Sequence, residues 1–261
     1  VIAAELLRAV LDEPVSNAPR VAYADAIRAF DPARAELIDV QIRLAEHQAL
    51  SRDPPDSLHV WCREGTLISE HASRWAGSLG PLVEGIYRSG FRRGFVEHIR
   101  IDAAELLRRA DELYDAVPIL HLRLSGVPAV ARELFASPHL ARIRSLHVPS
   151  DELGDDEAEL LAASPHLGEL RSLSLYDNRI SRRGLEAIAA STSLPELRYF
   201  DLQSNPAPDP CPSIGGREAD GYVHDMDYPP INLELRERFG PKAWLTATVW
   251  HTSRWPFDDG V

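Results

Sequence analysis

Histidine, arginine, serine, tyrosine and aspartate recur between apolar residues in five short stretches of the chain. These are VEHIRI, ILHLRL, IRSLHV, LRSLSLYDN and LRYFDLQSN. Side chains alternate along a strand, so the residues between the apolar positions share one face. Strand by strand, that face reads His98, Arg100, Asp102; His121, Arg123, Ser125; Ser145, His147; Ser172, Ser174, Tyr176; and Tyr199, Asp201, Gln203. Parallel neighbours stand about 4.8 Å apart, so equivalent positions should form rows. One row is His98, His121, Ser145, Ser172, Tyr199. The next is Arg100, Arg123, His147, Ser174, Asp201.

Guanidinium forks match carboxylates, and Tyr and Arg anchor many interfaces. The chemistry expected of this face is therefore recognition of a protein partner with an acidic segment. Its contacts would be His98, Arg100, His121, Arg123, His147, Ser172, Ser174, Tyr176, Tyr199 and Asp201. The plainer alternative is a solvated sheet face. The three histidines fall in two rows and no carboxylate completes a ligand set, so no metal is expected there. Ser, His and Asp coexist on the face, but an open sheet offers no enclosed pocket to exclude water. The chain has no GxSxG, GxxxxGK[ST] or HExxH, and no GxGxxG after a strand. No catalytic residue and no cofactor are expected.

A second constellation is YVHDMDY, with His224, Asp225 and Asp227 close together. Such a trio can hold a divalent cation or seed a catalytic site, although acidic loops are more often merely solvated. It lies in a proline-rich, acidic stretch over 206–230, longer than an ordinary connection. Beyond it, Trp244, Trp250 and Trp255 crowd the last eighteen residues. They read as a seal on the end of a core, or as an exposed aromatic tail that another protein recognises.

The elements that would position these residues repeat. The central apolar residues of the five strands fall at 99, 122, 146, 173 and 200, in steps of about 23 to 27 residues. Between strands, AAELLRRADELYDA, VARELFAS, DDEAELLAAS and RRGLEAIAAS carry helical spacing. The phrase SPHL ends two of them, at 137–140 and 164–167, where proline stops the helix and leucine returns the chain to the core. Two repeats carry L-x-x-L-x-L-x-x-N: Leu170, Leu173, Leu175, Asn178, and Leu197, Phe200, Leu202, Asn205.

On these residues, 91–205 resembles a leucine-rich repeat array of the ribonuclease-inhibitor type. The resemblance implies an α/β solenoid of about five repeats, with a curved parallel sheet and helices on the convex side. The upstream repeats lack the asparagine, so their turns must satisfy backbone groups another way. Residues 1–90 read as helices that cap the array. Their sequence, LLRAVLDEP followed by PRVAYADAIRAFDPARAELIDVQIRLAEH, resembles the bacterial repeat-companion domain. That resemblance implies an architecture and no established activity. Residues 206–261 then form an inserted loop and a C-terminal cap.

Bulk composition, 44% hydrophobic and 26% charged, is ordinary for a soluble globular protein. The 261 residues carry a formal charge of -12, from 28 basic and 40 acidic side chains, which disfavours nucleic acid as a partner. No apolar run reaches the length of a membrane span. The start, VIAAELLRAVLDEP, reads as an amphipathic helix rather than a signal peptide, with a processed or trimmed beginning. Two widely separated cysteines, Cys62 and Cys211, suit a reducing cytoplasm. The oligomeric state and the partner's identity stay open.

Overall fold

The computed structural model describes residues 2–49, 57–83, 90–208, 210, 213–214, 226–227 and 230–245. Internal contacts divide the chain into two units. One gathers the described residues of Val1–Arg100 and Arg109–Leu122, and the other those of Ile101–Arg108 and Arg123–Ser253.

The first unit begins with helices α1 (Ile2–Asp12), α2 (Ala18–Ile27), α3 (Pro32–Ala49), α4 (Ser57–Ala76) and the short α5 (Gly80–Val83). Proline opens α3 and stands in the first turn of α2, where its missing N–H leaves no helical bond unmade. Val10, Ala24, Ile27, Ala35, Ile38 and Ile42 come from different helices and meet Phe95 in one core. Phe95 belongs to a two-stranded antiparallel hairpin, β1 (Phe91–Arg92) and β2 (Phe95–Val96). Gly94 turns this hairpin at φ +82°, and a Cβ there would stand 2.0 Å from Cγ1 of Ile38. Only glycine gives both the left-handed backbone and the close approach. Val96, expected to open the first repeat strand, is part of this hairpin instead. Phe91 is its pairing partner, and the strand that follows starts at His98.

A charged cluster pins the hairpin to the helices. Arg20 on α2 is 0% exposed, and its Nη1 lies 2.8 Å from Oε1 of Glu97, itself 1% exposed. Arg93 grips the same carboxylate with Nε and Nη2, and donates to the carbonyls of Pro14 and Val15. Arg20 also donates to the Pro14 carbonyl, at 2.6 Å. Burial lowers the Arg20 pKa to about 10, with Glu97 opposing the fall and Arg93 adding to it. Arg20 therefore stays charged near neutrality. The backbone carbonyl of Glu97 accepts from the N–H groups of Leu120 and His121, so this residue ties the cluster to the start of a strand. Gln41 on α3 completes the anchorage, accepting from Gly94 N and donating to Glu64 and to the Phe91 carbonyl.

A five-stranded parallel sheet runs in the order β3 (His98–Asp102), β4 (His121–Ser125), β5 (Ser145–His147), β6 (Ser172–Ser174), β7 (Tyr199–Asp201). Helices alternate with the strands: α6 (Ala103–Ala116), α7 (Val127–Phe135), α8 (Asp155–Ala162), α9 (Arg182–Ala190) and, after the insertion, α10 (Pro230–Phe239). The fold is thus mixed α/β. The expected apolar positions are its core: Ile99, Ile101, Ile119, Leu122, Leu124, Ile143, Leu146, Val148, Leu170, Leu173, Leu175, Leu197, Phe200 and Leu202 are all buried.

In the second unit, side-chain amides and carboxylates bond successive segments to one another. Asn178 Oδ1 accepts from the N–H groups of Asp151 and Leu153, while its Nδ2 donates to the carbonyls of Val148, Leu175 and Tyr176. Twenty-seven residues on, Asn205 accepts from Ile180 N and donates to the Leu175, Leu202 and Gln203 carbonyls. Asp151 stands where the preceding segment would have its asparagine, three residues past Val148. Its carboxylate takes the N–H groups of Gly126 and Val127, the start of α7. Aspartate can accept as asparagine does but, ionised, cannot donate. The turn without asparagine is satisfied this way, and the signal was in the sequence as I-x-x-L-x-V-x-x-D.

The far ends of the helices are stitched similarly. Ser164 Oγ donates to the Phe135 carbonyl and Ser191 Oγ to the Ala162 carbonyl, each closing the helix before it. The serine of the second SPHL thus has a bonding role beside the helix-stopping proline. At the last strand, Trp244 is buried with its ring 5.2 Å from that of Phe200, edge to face. The sealing role expected of this tryptophan is met. Trp250 and Trp255 lie outside the described residues. A short antiparallel pair, β8 (Ser213–Ile214) with β9 (Met226–Asp227), stands within the insertion.

Candidate partner-binding face

Register places the polar residues in the expected rows. Ser145 pairs with Ser172 and Ser172 with Tyr199; His147 pairs with Ser174 and Ser174 with Asp201. The exits from these strands also match. Ser150, Asp177 and Ser204, each 27 residues apart, all take positive φ, and Ser150 Oγ donates to Asp177 Oδ2 at 2.8 Å. Tyr176 sits just before that turn and is 40% exposed. Arg123 and Tyr199 are half-buried.

The other expected contacts in this unit are not open as those of a solvated sheet would be. Ser145, His147, Ser172, Ser174 and Asp201 are buried. Part of the reason is local: Ser174 Oγ donates to Asp201 Oδ2 at 2.8 Å, and Asp201 Oδ1 accepts from Gln203 N. Of the expected contacts in this unit, Arg123, Tyr176 and Tyr199 are the accessible ones. In the first unit, His98 and His121 are also buried, with their rings 6.1 Å apart, edge to face, while Arg100 is exposed.

His147 is not a positive group near neutrality. Burial, helped by the nearby Arg123 guanidinium, pushes its pKa down to about 4. Arg123 therefore supplies the positive charge that the spacing had shared between the two. A stability consequence follows. The unfolded imidazole titrates near 6.5 and the folded one near 4, so the unfolded chain binds more protons between those values. The contribution is complete above pH 6.5 and is lost as pH falls toward 4, to a limit of about 3 kcal/mol. Urea unfolding at pH 7.5 and 4.5 should show this loss, and His147→Gln should reduce it by most of that amount. An equal loss in both proteins would contradict a buried neutral imidazole.

Among the described residues, no group of three His, Cys, Asp or Glu is placed to hold a metal ion. His224 and Asp225 of the loop constellation lie outside the described residues. Asp227 is in β9, where only the backbone is described. Cys62 is an exposed free thiol, and Cys211 lies outside the described residues. No described helix is long and apolar enough to cross a membrane.

The fold and face define an α/β protein with in-register polar rows on a parallel sheet. Comparison with family models, with curated proteins and with solved structures gives no match for the chain.

Proposed function

We propose that the chain is a leucine-rich repeat solenoid of the ribonuclease-inhibitor type, led by a helical module like the repeat-companion domain, and that it works as a non-catalytic interaction module in the cytoplasm. The observation that carries the reading is the Asp151, Asn178, Asn205 series. One side-chain role recurs every 27 residues, and each carboxylate or amide binds the backbone of the segment before it. Stacked repeats need such bonds because each contacts only its neighbours. In the second unit, partner contact falls to the accessible residues Arg123, Tyr176 and Tyr199, which combine a guanidinium with two phenols. An acidic segment of a protein suits them. Arg100 is a further exposed cation on β3.

The test is affinity capture from the native host with the immobilised chain, comparing wild type with Arg123→Glu/Tyr176→Ala. A protein retained by wild type should be lost at least tenfold in the variant, as expected when an aromatic and an arginine anchor are removed together. Equal retention by a variant of unchanged circular dichroism would sink the reading.

A further inference from the structure

Arginine recurs one residue ahead of each of the last three strands of the parallel sheet, as Arg144, Arg171 and Arg198, at intervals of 27 residues. β5 begins at Ser145, β6 at Ser172 and β7 at Tyr199, and these three residues are register partners. Backbone bonds show the same equivalence. The Arg144 carbonyl accepts from the N–H groups of Arg171 and Ser172, and the Arg171 carbonyl from those of Arg198 and Tyr199. The three arginines therefore form a row across neighbouring strands, in steps of about 4.8 Å.

The backbone at this position does not require arginine. The Glu97 carbonyl accepts from the N–H groups of Leu120 and His121 in the same pattern, with Glu97 and Leu120 at the positions that arginine holds further on. Like charges on neighbouring strands repel, so the row carries a cost that the turn does not demand. Arg198 is exposed, and Arg144 and Arg171 are half-buried. Arg171 Nε is buried with no hydrogen-bond partner among the described residues. Two residues ahead of the row stand Arg142, Glu169 and Glu196. Glu196 Oε2 lies 3.5 Å from Arg198 Nη2, and with both side chains exposed such a pair is weak in water. The three segments 142–144, 169–171 and 196–198 thus hold four guanidiniums against two carboxylates, in a chain whose formal charge is -12.

We propose that Arg144, Arg171 and Arg198 form a docking row for an acidic segment of a protein partner, whose carboxylates take the guanidinium forks. Forks suit carboxylates and phosphates alike. The row is about 10 Å long, a length that about three extended residues cover. A short acidic run meets the row alone, whereas a long polyanion must also approach the surrounding negative chain. The inference rests on the interaction reading for the kind of partner. It places the contact at the leading edge of β5, β6 and β7 rather than at Arg123 and Tyr176, so different variants test the two.

The experiment measures the fluorescence anisotropy of fluorescein-labelled hexaglutamate titrated with the full chain at low salt. Wild type should bind it, and Arg171→Gln/Arg198→Gln should weaken binding about tenfold, the loss of two charge-assisted contacts at a wet surface. Arg108→Gln/Arg179→Gln removes the same charge from exposed side chains outside the row and should change binding less than about twofold. If the row variant does not fold by circular dichroism, Arg198→Gln alone is read instead and should weaken binding about threefold. Unchanged binding by a folded row variant overturns the proposal, and so does an equal loss in the variant outside the row. A loss confined to Arg123→Glu/Tyr176→Ala puts the probe on those residues and sinks the row alone. No binding by wild type overturns the row and leaves the affinity-capture test standing. Tighter binding of a labelled thymidine hexanucleotide overturns the choice of an acidic peptide and assigns the row to phosphates.

Discussion

Asn178→Ala should lower the unfolding free energy by about 3–4 kcal/mol, measured by urea or guanidinium denaturation. The amide joins two successive segments through five backbone groups: the N–H groups of Asp151 and Leu153, and the carbonyls of Val148, Leu175 and Tyr176. It is buried, so water does not replace it freely. Each stranded buried group costs about 1–3 kcal/mol, and the sum is moderated by relaxation of the turn. Asn178→Asp keeps the two acceptor bonds and loses the donors, so it should fall between wild type and alanine. Asn205→Ala should cost less, because Asn205 Oδ1 takes one backbone N–H, that of Ile180. A loss below about 1 kcal/mol for Asn178→Ala would show that the turn holds its shape without the amide.

Glu97→Ala should cost about 3–5 kcal/mol, the range for removing one partner of a buried ion pair. Two guanidiniums face this carboxylate. Arg93 is partly accessible and can turn toward water, whereas Arg20 is fully buried and cannot. The loss should therefore be traceable to Arg20. Glu97→Met combined with Arg20→Met should be clearly more stable than Glu97→Ala, since apolar replacement of both partners removes the stranded charge. The measurement is a double-mutant cycle on denaturation midpoints. Additive losses would mean that the two side chains do not depend on each other. The hairpin β1–β2 should loosen first, because Arg93 and Glu97 stand at its turn and its end.

Much of the fold was readable without coordinates. The spacing of Leu170, Leu173 and Leu175 and its echo at Leu197, Phe200 and Leu202 predict strands, a buried side and a 27-residue offset. The register Leu173 with Phe200 has that offset. A strand's alternation is fixed by its own backbone, so a local pattern suffices to say which residues share a face. The Asp151 bond was readable too, had the rule for the turn been stated as an acceptor at that position rather than as asparagine.

Other features came only from tertiary structure. Arg20 and Glu97 are 77 positions apart, and no local period links them; their bond exists because α2 and the hairpin bury the same space. The sequence marks Ser145, His147, Ser172, Ser174 and Asp201 as polar and co-facial, yet not as buried, and it marks His147 as basic, yet not as neutral. Burial and protonation depend on the dielectric and on charges brought from distant parts of the chain, and these are properties of the packed molecule. The sequence by itself determined which residues share the face. Only the fold decided that, of the expected contacts in the second unit, Arg123, Tyr176 and Tyr199 remain accessible.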